Sequence, residues 1–261
     1  MNMITFYDSH CHLNDDLLYP KRREIVEESI QNGVKALLIV GFDLPSSEKA
    51  VEIAHEFPGC YASIGYQPEN LEGAKEEDIA RFEFLAKDER VLAIGEIGLD
   101  YHWFKEEAHR ARQKEWFIKQ IELANRLDLP VSIHARDAIG DTLVILKEHP
   151  VKRKGVLHCY SGSVESMKEL EKLGYYFGFD GPITFKNAIE PKRCVKECRG
   201  DRLLVETDSP YLSPVPFRGK ENSPKNIPLI VKQMAELRGE EMEETAENLK
   251  ANFETLFRVK L

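Results

Sequence analysis

No stretch of this 261-residue chain approaches the roughly 18 consecutive apolar residues that a membrane helix needs, so no spanning segment is expected. The opening residues MNMITFYDSH have neither the basic region nor the apolar run of a signal peptide. Cysteine is scarce and odd in number, with five residues that fit no tight zinc spacing. They read as reduced thiols in a cytoplasmic protein, and Cys194 and Cys198, one helical turn apart, read as ordinary helix residues. Basic charge is also short, with 36 Lys and Arg against 45 Asp and Glu and a net charge of −9. That excludes a general electrostatic grip on nucleic acid, but not a nucleic-acid substrate held locally. No low-complexity linker, charge block or repeat divides the chain, and a single domain over residues 1–261 is expected.

What is present is a rhythm. Short apolar, β-branched runs (ITFYD, KALLIVG, CYASIG, VLAIGEIG, PVSIHA, GVLHCYSG, YYFGFDG, LLVETD) alternate with longer amphipathic stretches such as AHRARQKEWFIKQIELANRL and KNIPLIVKQMAELRG. About eight βα units predict an α/β fold, a (β/α)8 TIM barrel. An open doubly wound sheet would want a glycine-rich phosphate turn after its first strand, where this chain has DSHCHL. The final run GEEMEETAENLKANFETLF reads as an acidic amphipathic helix, with Met242, Leu249, Phe253 and Phe257 at near-helical spacing for packing alone.

A barrel gathers its reacting groups where the strands end. His10 and His12 close the first run, Glu96 the fourth, His134 the fifth, His158 the sixth and Asp208 the eighth. In H-x-H on a strand both imidazoles point to one side, and Cys11 points to the other. Imidazole and carboxylate ligands without cysteine suit zinc, manganese or magnesium, with zinc favoured by the imidazole count. Six ligands are too many for one tetrahedral ion but suit two divalent metal ions bridged by a carboxylate, with Glu96 the natural bridge. A metal pair activates water and clamps the attacking and leaving oxygens of a displacement, which points to a hydrolase.

In order and spacing, DSHCHL, IGEIGLDY, HARDA, LHCYSG and ETDSPYL resemble the TatD family of metal-dependent deoxyribonucleases, and the likeness extends through PFRGKENSP and ANFETLF over essentially the whole chain. The resemblance implies that His10, His12, Glu96 and Asp208 hold one ion and Glu96, His134 and His158 the other. It also implies that Asp208 accepts a proton from the attacking water, making Asp208 and Glu96 the catalytic pair. The family commonly has G-x-H-P after the third strand, whereas this chain reads G-Y-Q-P and places Gln67 where the histidine would face substrate.

Beyond the metals, Glu206 shares the strand face of Asp208 and is expected to orient water or a group behind the ligands and to count among the substrate contacts, with a surface or packing carboxylate paired with an arginine as the alternative. Arg136, two residues past His134, and the basic loop FRGKENSPKN with Arg218 and Asn222 are candidates for phosphate contact, since arginine forks match phosphate oxygens. Trp103 and Phe104 follow the fourth strand and offer a rim on which a base could stack, with barrel-top packing as the alternative. The expected activity is divalent-metal-dependent cleavage of DNA phosphodiester bonds from an end, with DNA or other nucleic-acid ends as substrate, no membrane partner, and a monomer adequate to the task. Rival readings on the same metals are removal of a D-amino acid from tRNA and amide hydrolysis of a small molecule. A non-catalytic nucleic-acid-binding barrel is the rival from another class, and it gives no reason for six intact ligand positions.

Overall fold

The computed structural model describes residues 4–260. Eight parallel strands alternate with helices: β1 Phe6–Cys11, α1 Arg22–Gln31, β2 Val34–Val40, α2 Leu44–Glu56, β3 Cys60–Ile64, α3 Asp78–Leu85, β4 Val91–Asp100, α4 Glu107–Leu127, β5 Val131–Arg136, α5 Ile139–Glu148, β6 Gly155–Leu157, α6 Val164–Lys172, β7 Tyr176–Phe179, α7 Ile189–Glu197 and β8 Leu203–Val205. Two helices, α8 Ile227–Arg238 and α9 Met242–Phe257, follow the last strand. Each strand pairs with the next in one sheet ordered β1 to β8. Its two ends meet where the Asp208 N–H donates to the His10 carbonyl (2.9 Å) and the His12 N–H to the Ser209 carbonyl (2.8 Å). This is the expected (β/α)8 barrel, nearly closed.

Local chemistry explains the punctuation. Asp43 caps α2 in a reciprocal box with Ser46, with Pro45 in the first turn, where its missing N–H costs nothing. Helix α8 ends on Gly239 at φ +69, a left-handed position that glycine adopts without a Cβ penalty. The strands bury both faces, as parallel sheets do. Leu37, Ile39, Ile94, Ile133 and Leu157 pack outward against helix residues such as Ile53 and Ile121. Ala36, Leu38, Val40, Ala93, Val156 and Leu204 form a separate inner layer together with Phe253, Leu256 and Phe257 of α9. Phe253 stacks on Tyr7 at the start of β1 (5.7 Å between rings), so α9 plugs the N-terminal end and leaves the C-terminal end open.

Three strand ends differ from the expectation. Strand β4 does not stop after Glu96 but runs on to Asp100, because Leu99 and Asp100 still pair with Ala135 and Arg136. Strands β6 and β8 stop at Leu157 and Val205, so His158 and Asp208 stand on the loops just beyond.

Candidate metal centre

Two irregularities in the sheet aim the first candidate ligands. Between Asp8 and Cys11, β1 carries one residue more than its partner segment Leu37–Ile39. Between Ile94 and Ile97, β4 likewise carries one more than Val131–Ile133. An extra residue in one strand re-aims the side chain at that point. His10 lies inside the first bulge and Glu96 inside the second. Gly95, at φ +157 with Ser132 backbone against its α-carbon, supplies the close approach that the second bulge needs.

The side chains converge around Glu96. Its Oε2 lies 3.7 Å from both His10 Nε2 and His12 Nε2. Asp208 Oδ1 faces the same two nitrogens at 3.8 and 3.4 Å. The outer nitrogens of these rings are already taken: His12 Nδ1 lies 2.9 Å from the Val40 carbonyl and His10 Nδ1 3.3 Å from Ser132 Oγ. Both Nε2 atoms are thereby turned inward, 3.1 Å apart. Glu96 Oε1 faces a different pair, 2.8 Å from His134 Nδ1 and 2.8 Å from His158 Nε2. Here the outer nitrogens face carboxylates: His134 Nε2 lies 2.9 Å from Asp100 Oδ2, whereas His158 Nδ1, 3.7 Å from Glu206 Oε1, has a charged neighbour but no hydrogen-bond partner. The His10 ring stacks on the His158 ring at 4.0 Å and ties the two groups together.

Charge follows from this packing. Burial disfavours ionised Glu96, yet His158, His10 and His134 around it hold its carboxyl well below the usual range. Burial likewise opposes ionised Asp208, and the hydrogen bond from His12 with the charge of His10 overcomes it and lowers Asp208. Burial works against the charged form of His134, but Asp100 and Glu96 push it up to about 9. His158 is raised well above the ordinary histidine value, its burial outweighed by Glu96 and Glu206. His10 goes the other way, lowered by burial and by its neighbour His158.

Comparison with known proteins agrees with this geometry. The family model described as TatD related DNase matches residues 7–258. The chain belongs to the TatD-related DNase family. It is 43% identical to the uncharacterized metal-dependent hydrolase YabD of Bacillus subtilis, over 97% of this chain and 99% of that one. A Cronobacter sakazakii relative named 3'-5' ssDNA/RNA exonuclease TatD is 35% identical over 84% of this chain and 85% of its own length. The crystal structure of the TatD homolog YjjV from Escherichia coli superposes with a TM-score of 0.93 at 29% identity, covering 99% of this chain and all (100%) of that one. As a TatD-family protein the chain is a metal-dependent hydrolase.

The side chains fit that description. Glu96 Oε2 is buried and has no hydrogen-bond partner, although polar atoms so placed are almost always satisfied. Two imidazole lone pairs turned at each other and at carboxylates make a donor set for a cation. Among the described residues, His10–His12–Asp208 and His10–Glu96–His158 each lie close enough to share an ion, with ligand atoms within 4.8 Å. Glu69, Asp100 and His134 form a third such group. There, however, Asp100 is already committed to His134 and to the N–H groups of His102 and Trp103. The nitrogen and oxygen donors, free of thiolate, suit zinc, manganese or magnesium.

Not every residue expected to meet substrate lies at the cleft. A cavity of about 620 Å³ opens over the ligands, and Gln67 and Arg136 line it along with His12, Glu96, His134 and Asp208. Gln67, the TatD-family departure, donates from Nε2 to Glu96 Oε1 at 3.3 Å and so reaches the carboxylate at the centre of the cluster. Glu206 departs from the expected substrate contact and takes the other expected place, behind a ligand-type side chain. It is fully buried, accepts the Cys159 N–H (2.5 Å) and the Ser9 hydroxyl (3.3 Å), and backs His158 instead of facing the cleft. Gly178 makes room for it, since a Cβ there would strike the Glu206 carboxylate. Asn222 is also a correction. It is fully buried, donates to the Thr207 carbonyl (2.8 Å) and accepts from Ser223 and Asn226, so it braces the loop after β8. Arg218 lies outside the cleft lining, its guanidinium 4.3 Å over the Phe185 ring, and Lys225 pairs with Glu28 at 2.8 Å. The sequence showed the loop's charge but not its direction. Trp103, Tyr211 and Phe42 do line the cleft. Asp100 went unnoticed, although it stands four residues after Glu96 on the same strand.

Proposed function

We propose that this chain hydrolyses phosphodiester bonds at the ends of single-stranded nucleic acid, DNA in the first instance, with two divalent ions held between the six strand-end ligands. The observation that carries this reading is Glu96. Its two oxygens address two separate groups of imidazole nitrogens at the floor of one open cleft, the arrangement a bridging ligand requires. His10, His12 and Asp208 would complete one position and His134 and His158 the other. Ions held there would supply Lewis-acid activation of water and neutralise charge on the phosphate.

The chain's own residues supply the rest. Asp208, anionic and partly open to the cleft, stands where its free oxygen can take the proton of an attacking water. Burial and the ring of histidines keep Glu96 ionised, so it can bridge without titrating. Arg136 is the cation lining the cleft and is the group we assign to substrate phosphate. Trp103 and Tyr211, 62% and 53% exposed at the rim, offer faces on which unpaired bases stack. A net charge of −9 disfavours a general electrostatic grip on a long duplex. The name of the Cronobacter relative supports the same substrate class. Among the described residues no helix is long and apolar enough to cross a membrane, and all five cysteines are free thiols, which suits the proposed cytoplasmic location.

The test uses protein stripped of metal and reloaded with Mg²⁺, Mn²⁺ or Zn²⁺. End-labelled single- and double-stranded oligonucleotides and tRNA charged with a D-amino acid are offered side by side. We expect metal-dependent release of mononucleotides from single strands, faster than from duplexes. Deacylation of the tRNA with intact oligonucleotides would overturn the phosphodiesterase reading, and full turnover by stripped protein would overturn the metal centre.

A further inference from the structure

Asp100 closes β4, is fully buried, and has its own N–H fixed by Gln113 Oε1 on α4 (3.0 Å). Its two oxygens are divided between two places. Oδ2 lies 2.9 Å from His134 Nε2, while Oδ1 accepts the backbone N–H groups of His102 and Trp103, each at 2.9 Å. One carboxylate thus touches a ligand at the floor of the cleft and the turn that carries the exposed Trp103 at its rim. The rim is further tied to the same strand pair. Arg136, the register partner of Asp100, holds its guanidinium 5.4 Å over the Trp103 ring, and the His102 ring meets Trp103 edge-on at 4.6 Å.

His134 is also the odd member of its set. His10, His12 and His158 present Nε2 toward Glu96, whereas His134 presents Nδ1. A ring can offer its Nδ1 lone pair only when the proton sits on Nε2, and the acceptor that holds a proton there is Asp100.

We propose that Asp100 is a positioning residue that couples the metal centre to the aromatic rim, holding His134 in its Nδ1-presenting tautomer with one oxygen and ordering the Trp103 turn with the other. The inference rests on the metal-centre reading above. Its chemistry requires a carboxylate. The three groups hydrogen-bonded to the Asp100 carboxylate are N–H donors, which two acceptor oxygens satisfy, while the Glu69 carboxylate stands within 4.8 Å. An asparagine has one acceptor and one donor, so its NH₂ must confront either His134 or the turn.

The experiment places the Asp100→Asn substitution in a Trp116→Phe background. Trp116 is buried (2% exposed) and packs on Tyr66 away from the cleft, so its removal leaves Trp103 as the sole tryptophan of the two. Metal-stripped protein is titrated with Zn²⁺ alone by calorimetry, and acrylamide quenching of Trp103 is measured before and after loading. For the background protein we expect two Zn²⁺ ions to bind and Trp103 quenching to fall about twofold. With Asp100→Asn, one ion should bind about 10- to 100-fold more weakly and the quenching response should disappear. Unchanged affinity, or weakened affinity with the quenching response intact, would overturn the coupling. If Asp100→Asn does not fold, the background protein still decides: Zn²⁺ binding with no change at Trp103 overturns the proposal. Failure of the background protein to bind Zn²⁺ at all overturns the metal-centre reading and this inference with it.

Discussion

The two sides of Glu96 are built from the same residue types but supported differently. On one side, His10 and His12 are oriented by neutral partners, the Ser132 hydroxyl and the Val40 carbonyl. On the other, His134 and His158 are backed by the buried carboxylates Asp100 and Glu206. A carboxylate behind an imidazole makes it a more basic ligand. His134 rises to about 9 and His158 well above its usual value, while buried His10 falls; His12 rises too, but against its burial and chiefly through Asp208 and Glu96 on its inner side. One group of residues can thus contain a pair of positions with different affinities for a proton and, by the same chemistry, for a cation. Asp208 then faces the neutral-backed side and gives it the carboxylate that its orienting partners lack.

The most drastic way to break the comparison is to remove what both sides share. Glu96→Gln should lower metal content at both positions together and reduce hydrolysis to background, as read by elemental analysis and turnover of a labelled oligonucleotide. Asp208→Asn should separate the sides. It should cost at least about 10²-fold in kcat, the scale of a general acid–base group, and weaken one ion while the His134–His158 side keeps its own.

Proton linkage sharpens the difference without mutation. His134 is raised from the usual 6.5 to about 9, so in metal-free protein its stabilising contribution is complete below about pH 6.5 and lost as pH rises through 9. His158 acts in the same direction. His10, being lowered, affects stability only at and below the usual histidine value. Metal-free protein should therefore lose Tm between about pH 6.5 and 9. Loaded protein, in which a cation replaces the proton, should not. Calorimetry in two buffers of different ionisation enthalpy should also show proton release on metal binding near pH 7.5.

Smaller effects probe the orienting partners one at a time. Glu206→Gln should weaken the ion on the His158 side about tenfold. Ser132→Ala removes a neutral hydrogen bond of about 1 kcal/mol, roughly fivefold, from the His10 side. Equal losses in the two variants, measured by competition with a chelating dye, would erase the distinction between the sides. Smallest of all, Arg218→Ala should leave kcat/KM for oligonucleotides unchanged, because its guanidinium lies on Phe185 outside the cleft.

The sequence by itself determined the barrel and nominated the residues we propose as ligands. A period of short β-branched runs and amphipathic stretches is a local property, dictated by which faces must leave water, and it survives without knowledge of the fold. The ligand types were equally legible, because chemistry restricts metal donors to a few side chains and a barrel places them after its strands. Which way those side chains turn was decided only in the tertiary structure. His10 and Glu96 depend on one-residue bulges, which are set by pairing with β2 and β5 and leave no periodic trace in β1 or β4. Asp100 lay beyond the apparent end of its strand. Glu206 and Asn222 looked like cleft residues because strand position reports a face but not depth, and both are fully buried. The basic loop after β8 failed for a related reason. Charge is a property of composition, but its direction depends on partners such as Phe185 and Glu28, brought to it from other parts of the chain only by closure of the barrel.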